Sequence, residues 1–157
     1  MDARLDVFGN PVLAKAMRGI NSAGAVVNGS TLPKAIQEFV KLRASQINGC
    51  SFCTDMHTKD AAAHGETAQR LHLVAAWREA TAFTEPERAA LELTEEGTRL
   101  ADAHHGVSAD VWDRARKHFD DEQLGALVAT IALINAYNRI NCIVAMPAGS
   151  YQPGQFG

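Results

Sequence analysis

From Leu124 to Ile134 the chain reads Leu-Gly-Ala-Leu-Val-Ala-Thr-Ile-Ala-Leu-Ile, without one charged side chain. Asp120 or Asp121 stands where a helix N-cap belongs, so the run is expected to be the body of a long helix. A helix that is apolar nearly all round has no face to show to water. It must lie at the centre of a core or between subunits. The run is eleven residues, about half of the roughly 20 that a membrane span needs.

Only other helices are on offer to surround it, because no run of alternating β-branched residues occurs. Asn10-Pro11 is a cap followed by proline at the first helical position, opening a segment towards Val27 that Asn28-Gly29 breaks. Ser30 or Thr31 with Pro33 opens a second, carrying Ile36, Phe39, Val40, Ala44 and Ile47 to a stop at Asn48-Gly49. A third ends near Gly65, and Thr67 starts a fourth with Leu71, Val74 and Trp77 at core spacing. Thr84 and Glu87 have the capping-box spacing for a fifth, through Leu91, Thr94 and Leu100, which His104-His105-Gly106 closes. Ser108 caps a short helix holding Val111, Trp112, Ala115 and Phe119. The expectation is an all-α single domain, a bundle of about six to seven helices.

Length and charge narrow the function. A chain of 157 residues suffices for one domain that buries roughly 70% of its unfolded surface. Hydrophobic residues make up 46% and charged residues 21%, as in a soluble globular protein. With net charge −3 and no basic block, nucleic acid is not an expected partner. The first ten residues include two acids and no apolar core, so they do not read as a signal peptide. Three cysteines without an export signal point to a reducing compartment, with the cytoplasm as the expected location and no membrane partner.

The chemistry concentrates between Asn48 and His57, which hold C-x-x-C-x-x-x-H. In a helix starting near Cys50, the pairs Cys50/Cys53 and Cys53/His57 fall at i,i+3 and i,i+4, on one face. Both sulfurs would lie in the first turn, where unpaired amides and the helix dipole favour a thiolate. Zinc is a rival reading, with Cys50, Cys53 and His57 as three of four ligands, but no fourth is evident and Cys142 is distant in sequence. A haem attachment would put histidine where Thr54 stands, and a thioredoxin-type site needs a βαβ context. From spacing alone, Glu38 reads as a surface carboxylate near Lys34 or Lys41. His64, His72, His104, His105 and His118 have no comparable partners. Asn135, Asn138, Arg139 and Asn141 could cap buried backbone, contact another subunit or border the site; the sequence leaves these open.

The segment Leu42 to His57, with Glu38 before it, resembles the alkylhydroperoxidase AhpD-like group of the carboxymuconolactone decarboxylase superfamily. Lys59-Asp60-Ala61, Gly65-Glu66, Leu73 to Glu79, Phe83 to Leu91 and Ile134 to Arg139 extend the resemblance. It runs from about Lys34 to Pro147, leaving residues 1–30 as an N-terminal helical extension and 148–157 as an irregular tail. One departure is Phe52, where the group's better-known peroxidases carry histidine.

The resemblance implies a helical fold assembling into homo-oligomers, trimers or hexamers, and reduction of organic hydroperoxides with no cofactor or metal. It implies Cys53 as the peroxidatic thiol, Cys50 as the resolving one, and His57 with Glu38 as the proton relay. An external dithiol, lipoyl-bearing or thioredoxin-like, would restore the pair. Two other readings stand beside it. One is a cofactor-independent lyase of the decarboxylase type, against which the cysteine pair argues. The other is a non-catalytic redox-sensing oligomer.

Overall fold

The computed structural model describes residues 2–103 and 105–156. Among the described residues seven α-helices follow one another: α1 (Pro11–Asn28), α2 (Lys34–Ile47), α3 (Ser51–Ala63), α4 (Ala68–Leu73), α5 (Glu85–Thr98), α6 (Ala109–Arg116) and α7 (Asp121–Ile143). Single 3-10 turns lie at Val74–Ala76 and Leu100–Asp102. No strand occurs among the described residues.

The helix α7 is central, as its composition requires, and packs against α1, α2, α3, α5 and α6. Asp120 caps it: its carboxylate accepts the Gln123 N–H at 2.8 Å, and the Gln123 side chain accepts the Asp120 N–H at 3.3 Å. Its 23 residues make it, by length and composition, long enough to cross a membrane, yet here its inner face is the floor of the bundle. That face buries Leu124, Leu127, Ile131 and Ile134, then turns polar with Asn135, Asn138 and Asn141. Val128 and Ile143 remain exposed on the other side.

Two apolar clusters hold α3, α4, α6 and α7 to α2 and α5. One joins Ile36 and Val40 of α2 to Leu93 of α5, Val111 and Ala115 of α6, and Leu127 of α7. The other joins Phe39, Leu42, Ala61, Leu71, Val74, Trp77, Phe83 and Leu91. Each large side chain fully buried there contributes roughly 1.5–3 kcal/mol.

Most expected helix boundaries hold, and the exceptions have local reasons. Pro33 stands at the N-cap of α2, not Ser30 or Thr31, because the Ser30 hydroxyl donates to Val27 O at 2.7 Å and closes α1 instead. The fourth helix stops at Leu73 and tightens into the 3-10 turn before Trp77. The fifth ends at Thr98, so Leu100 sits in a 3-10 turn and is 56% exposed, not a core position. His104 lies outside the described residues; Gly106 beside it turns the chain at φ +69°.

The C-terminal segment is attached to α3. The Tyr151 hydroxyl donates to Asp60 at 2.8 Å, and Lys59 Nζ donates to the carbonyls of Gly149 and Tyr151 at 3.1 and 3.0 Å. Phe156 then stacks on Tyr151 and Phe8 and leans towards Phe52.

Candidate functional site: a buried dithiol with a carboxylate–histidine pair

The break at Asn48-Gly49 builds the site. Gly49 takes φ +66°, which costs glycine little, and the Cys50 N–H reaches back to Ser45 O at 2.9 Å. The chain reverses and lays α3 against α2. Cys53, His57 and Ala61 form the buried stripe of α3, whereas Cys50, expected on the same helical face, lies just before the helix. Glu38, roughly three turns before Gly49, and His57, roughly two turns after it, meet across the hairpin: His57 Nδ1 and Glu38 Oε2 are 2.9 Å apart. The other carboxylate oxygen accepts from Lys41 Nζ at 2.8 Å. Glu38 is therefore paired with both Lys41 and His57, and is largely buried instead of lying on the surface. Burial opposes its charge, but the hydrogen bond and charge of His57 and those of Lys41 outweigh it and hold its pKa down to about 2.

Cys50 is the N-cap of α3, one position outside the helix proper, and its sulfur accepts the Cys53 N–H at 3.4 Å. The helix-start amide expected to favour a thiolate thus goes to Cys50. Cys50 and Cys53 approach to 3.0 Å, and both are buried free thiols. Their acidities are split. The Cys50 thiol donates to Cys53 and lowers the Cys53 pKa against the cost of burial, and Asn141 and Asn138 add to the lowering. Asn141 Nδ2 donates to Cys53 Sγ at 3.2 Å. Cys50, holding its proton towards Cys53 and buried, is pushed strongly up. His57 forms no hydrogen bond with either sulfur among the described residues, so the groups that favour an anionic Cys53 are Cys50, Asn141 and Asn138.

Of the polar residues the sequence leaves open, the structure brings most to this site. Asn48 Nδ2 donates to both Asn135 Oδ1 and Asn138 Oδ1 at 2.9 Å, tying the hairpin to α7. Asn138 in turn donates to Ser45 Oγ at 3.0 Å, and Arg139 folds back on Asn135 at 2.9 Å. Asn141 is the residue with direct contact to sulfur. The signal was there, since Asn138 and Asn141 continue the buried stripe of α7 at helical spacing, but nothing local says which helix they face.

Cys142 also arrives here, from 89 positions beyond Cys53 in the chain. It is exposed, donates to Asn48 O at 3.8 Å, and shares a surface pocket of about 440 Å³ with Gly49, Cys50, Ser51 and Asn141. Residues 145–148 form the far wall, where Ala145 takes φ +53°, a left-handed conformation unusual for a residue with a Cβ. Phe52 and Tyr137 pack against the dithiol cluster, and the Tyr137 hydroxyl donates to Asn21 of α1 at 2.6 Å. Among the described residues no group of three or more His, Cys, Asp or Glu side chains is arranged to hold a metal ion. His64 caps its own helix by bonding Asp60 O at 2.7 Å and is remote from this chemistry.

The model of the carboxymuconolactone decarboxylase family matches residues 11–96, which span α1 to α5 and hold Glu38, both site cysteines and His57. The chain belongs to this family. Within it, the chain is 41% identical over 121 residues to the uncharacterized protein YdfG of Bacillus subtilis, covering 77% of this chain and 81% of that one. It is 31% identical over 119 residues to the uncharacterized protein YnjA of Escherichia coli, a match covering 76% of this chain and 64% of YnjA. A solved structure of a protein of unknown function from Agrobacterium tumefaciens, suggested to be the antioxidant-defence protein AhpD, superposes with TM-score 0.87 at 32% identity. The superposition covers 96% of this chain and all of that one. The debrominase Bmp8, crystallised with 2,3,4-tribromopyrrole, shares the fold at TM-score 0.77 and 19% identity over 90% of this chain and 73% of its own. The family fold is thus AhpD-like and all-helical.

Proposed function

We propose that this family member is a thiol-dependent peroxidase that reduces organic hydroperoxides through a Cys50/Cys53 dithiol–disulfide cycle. The observation that carries the reading is the split between two adjacent buried thiols, one stabilised as a thiolate by Cys50 and Asn141, the other held protonated. A thiolate is the attacking species, and an ordinary cysteine is only a few per cent ionised near neutrality. Cys53 attacks one oxygen of the O–O bond, becomes a sulfenic acid and expels an alkoxide, which takes up one proton and leaves as the alcohol. Cys50 then condenses with the sulfenic acid, giving the disulfide and water. His57 supplies and recovers protons, and Glu38, itself anionic, holds the imidazole in one orientation and stabilises its charged form.

Cys53 is 0% exposed, with Phe52 and Tyr137 packed against its cluster, so binding of a hydroperoxide displaces part of that cover. An apolar residue at position 52 suits an organic substrate better than a strongly hydrated one. An external dithiol, lipoyl-bearing or thioredoxin-like, closes the cycle by exchange. The work would be done in the reducing cytoplasm. The exposed apolar side chains Val12 and Val26 on α1, and Val128 and Ile143 on α7, favour a homo-oligomer, trimeric or hexameric.

One equivalent of cumene hydroperoxide added to the reduced protein tests the reading, with free thiols counted and new disulfides located by mass spectrometry. Loss of two thiols as a Cys50–Cys53 bridge is expected. Survival of both thiols, or reaction no faster than that of free cysteine, would reject it.

A further inference from the structure

The sulfurs of the Cys50/Cys53 pair are covered: Cys50 is 2% exposed and Cys53 0%. A disulfide between them offers almost nothing to a protein-sized reductant, whose own thiolate must approach one sulfur in line with the bond it breaks. The remaining cysteine is placed differently. Cys142 sits on the outer side of α7, exposed, at the pocket that Cys50 also lines. The two lie close enough for each to perturb the other's thiol. Asn48 O, from the hairpin that carries Cys50, accepts from the Cys142 thiol at 3.8 Å.

We propose that Cys142 is a third redox cysteine, which carries the disulfide from the buried pair to the surface where an external dithiol can reduce it. This rests on the dithiol cycle above. Cys142, its proton lost to solvent, attacks Cys50 Sγ. The Cys50–Cys53 bond breaks, a Cys50–Cys142 bond forms, and Cys53 leaves with the electron pair. Exchange is faster when the departing thiolate is the more stable one. Cys53 is that group, because Asn141 donates to its sulfur at 3.2 Å. No electrons enter or leave the protein in this step; one disulfide replaces another. The donor dithiol then attacks Cys142 Sγ, and Cys50 leaves and takes up a proton. The donor's second thiol breaks the mixed disulfide, so the donor is oxidised by two electrons and all three cysteines are free.

Diamide separates this proposal from the peroxidase reading, because it closes neighbouring thiols whatever the natural oxidant is. Reduced full-length protein is treated with one equivalent of diamide, quenched with acid at intervals, and its disulfides are mapped by mass spectrometry. The Cys50–Cys53 bridge is expected first, then a Cys50–Cys142 bridge with Cys53 free. Cys142→Ser is expected to stop at Cys50–Cys53, and its reduction by thioredoxin to be about tenfold slower or more. Reduction by dithiothreitol, small enough to enter the pocket, is expected to fall much less. Absence of any Cys50–Cys142 bridge while Cys50–Cys53 forms overturns the proposal. So does reduction of Cys142→Ser by thioredoxin at the parent rate. Thiols that close with diamide but survive hydroperoxide would instead reject the peroxidase reading alone.

Discussion

Glu38 and Glu95 are both carboxylates held inside the bundle, with side chains 16% and 9% exposed, and they keep different company. Glu95 of α5 accepts from Arg43 at 2.8 Å, Trp77 Nε1 at 2.9 Å and Arg78 at 3.0 Å. Burial raises its pKa, but the hydrogen bonds from Trp77, Arg43 and Arg78 outweigh that and lower it. Its cationic partners are guanidiniums, charged at every accessible pH. Glu38 is also held anionic, yet one of its partners is an imidazole, whose ring nitrogens can each donate or accept. A low carboxylate pKa therefore does not mark a site by itself. What distinguishes the Glu38 region is a partner able to give and take a proton beside a pair of unequal thiols. The Glu95 region ties α2, α5 and the turn after α4 together, and nothing in it can move a proton.

The contrast can be broken most severely at sulfur. Cys53→Ser is expected to abolish hydroperoxide turnover, and Cys50→Ser to leave Cys53 as a sulfenic acid that a dimedone probe captures. Equal residual turnover in both variants would undo the assignment of roles. Glu38→Gln and Glu95→Gln, as a matched pair, come next. The first should lower turnover by about 10²–10⁴-fold, the usual contribution of a positioned proton-transfer group. The second should cost about 3–5 kcal/mol in urea unfolding, because Arg43 is left as a buried unpaired charge, while turnover per folded molecule persists. If the losses fall the other way round, Glu38 is structural.

Asn141→Ala probes the thiolate more gently. Losing one hydrogen bond to a charged group, about 1.5–3 kcal/mol, corresponds to roughly one to two units in the Cys53 pKa. Thiolate absorbance at 240 nm should titrate at higher pH in this variant, and its slow reaction near neutrality should recover as the pH rises. The smallest effect concerns acid. Glu38 lies at about 2 against an ordinary 4.5, so its contribution to stability is present above the ordinary value and is lost as pH falls towards the lower one. Glu38→Gln should flatten that part of the acid unfolding curve; an unchanged curve would mean that the His57–Glu38 contact contributes nothing to folding.

Much of this was legible in the chain. Asn10-Pro11, Thr67, Ser108 and Asp120 mark helix starts because their side chains accept from amides that every helix leaves open, and proline removes one such amide. In each case the helix begins where they stand. The α3 stripe of Cys53 and His57 follows from 3.6 residues per turn. The weaker expectations failed where two local signals competed. Ser30 could close α1 or open α2, and its hydroxyl goes to Val27 O of α1. The C-terminal residues carry no periodicity, so nothing local announces that Tyr151 is buried against Asp60.

The sequence by itself determined that the protein is helical, that α7 must bury much of its length, and that Cys53 and His57 share one face of a helix. These are consequences of local spacing and of what a side chain costs in water. Only the tertiary structure decided which partner each of those groups has. Glu38 reaches His57, and Asn141 and Cys142 reach the dithiol, because the turn at Gly49 sets α3 beside α2 and the Asn48–Asn135–Asn138 contacts set that hairpin against α7. Such pairings join positions 19 to 94 residues apart. They depend on how whole helices pack, and no periodicity within one helix encodes the face of another.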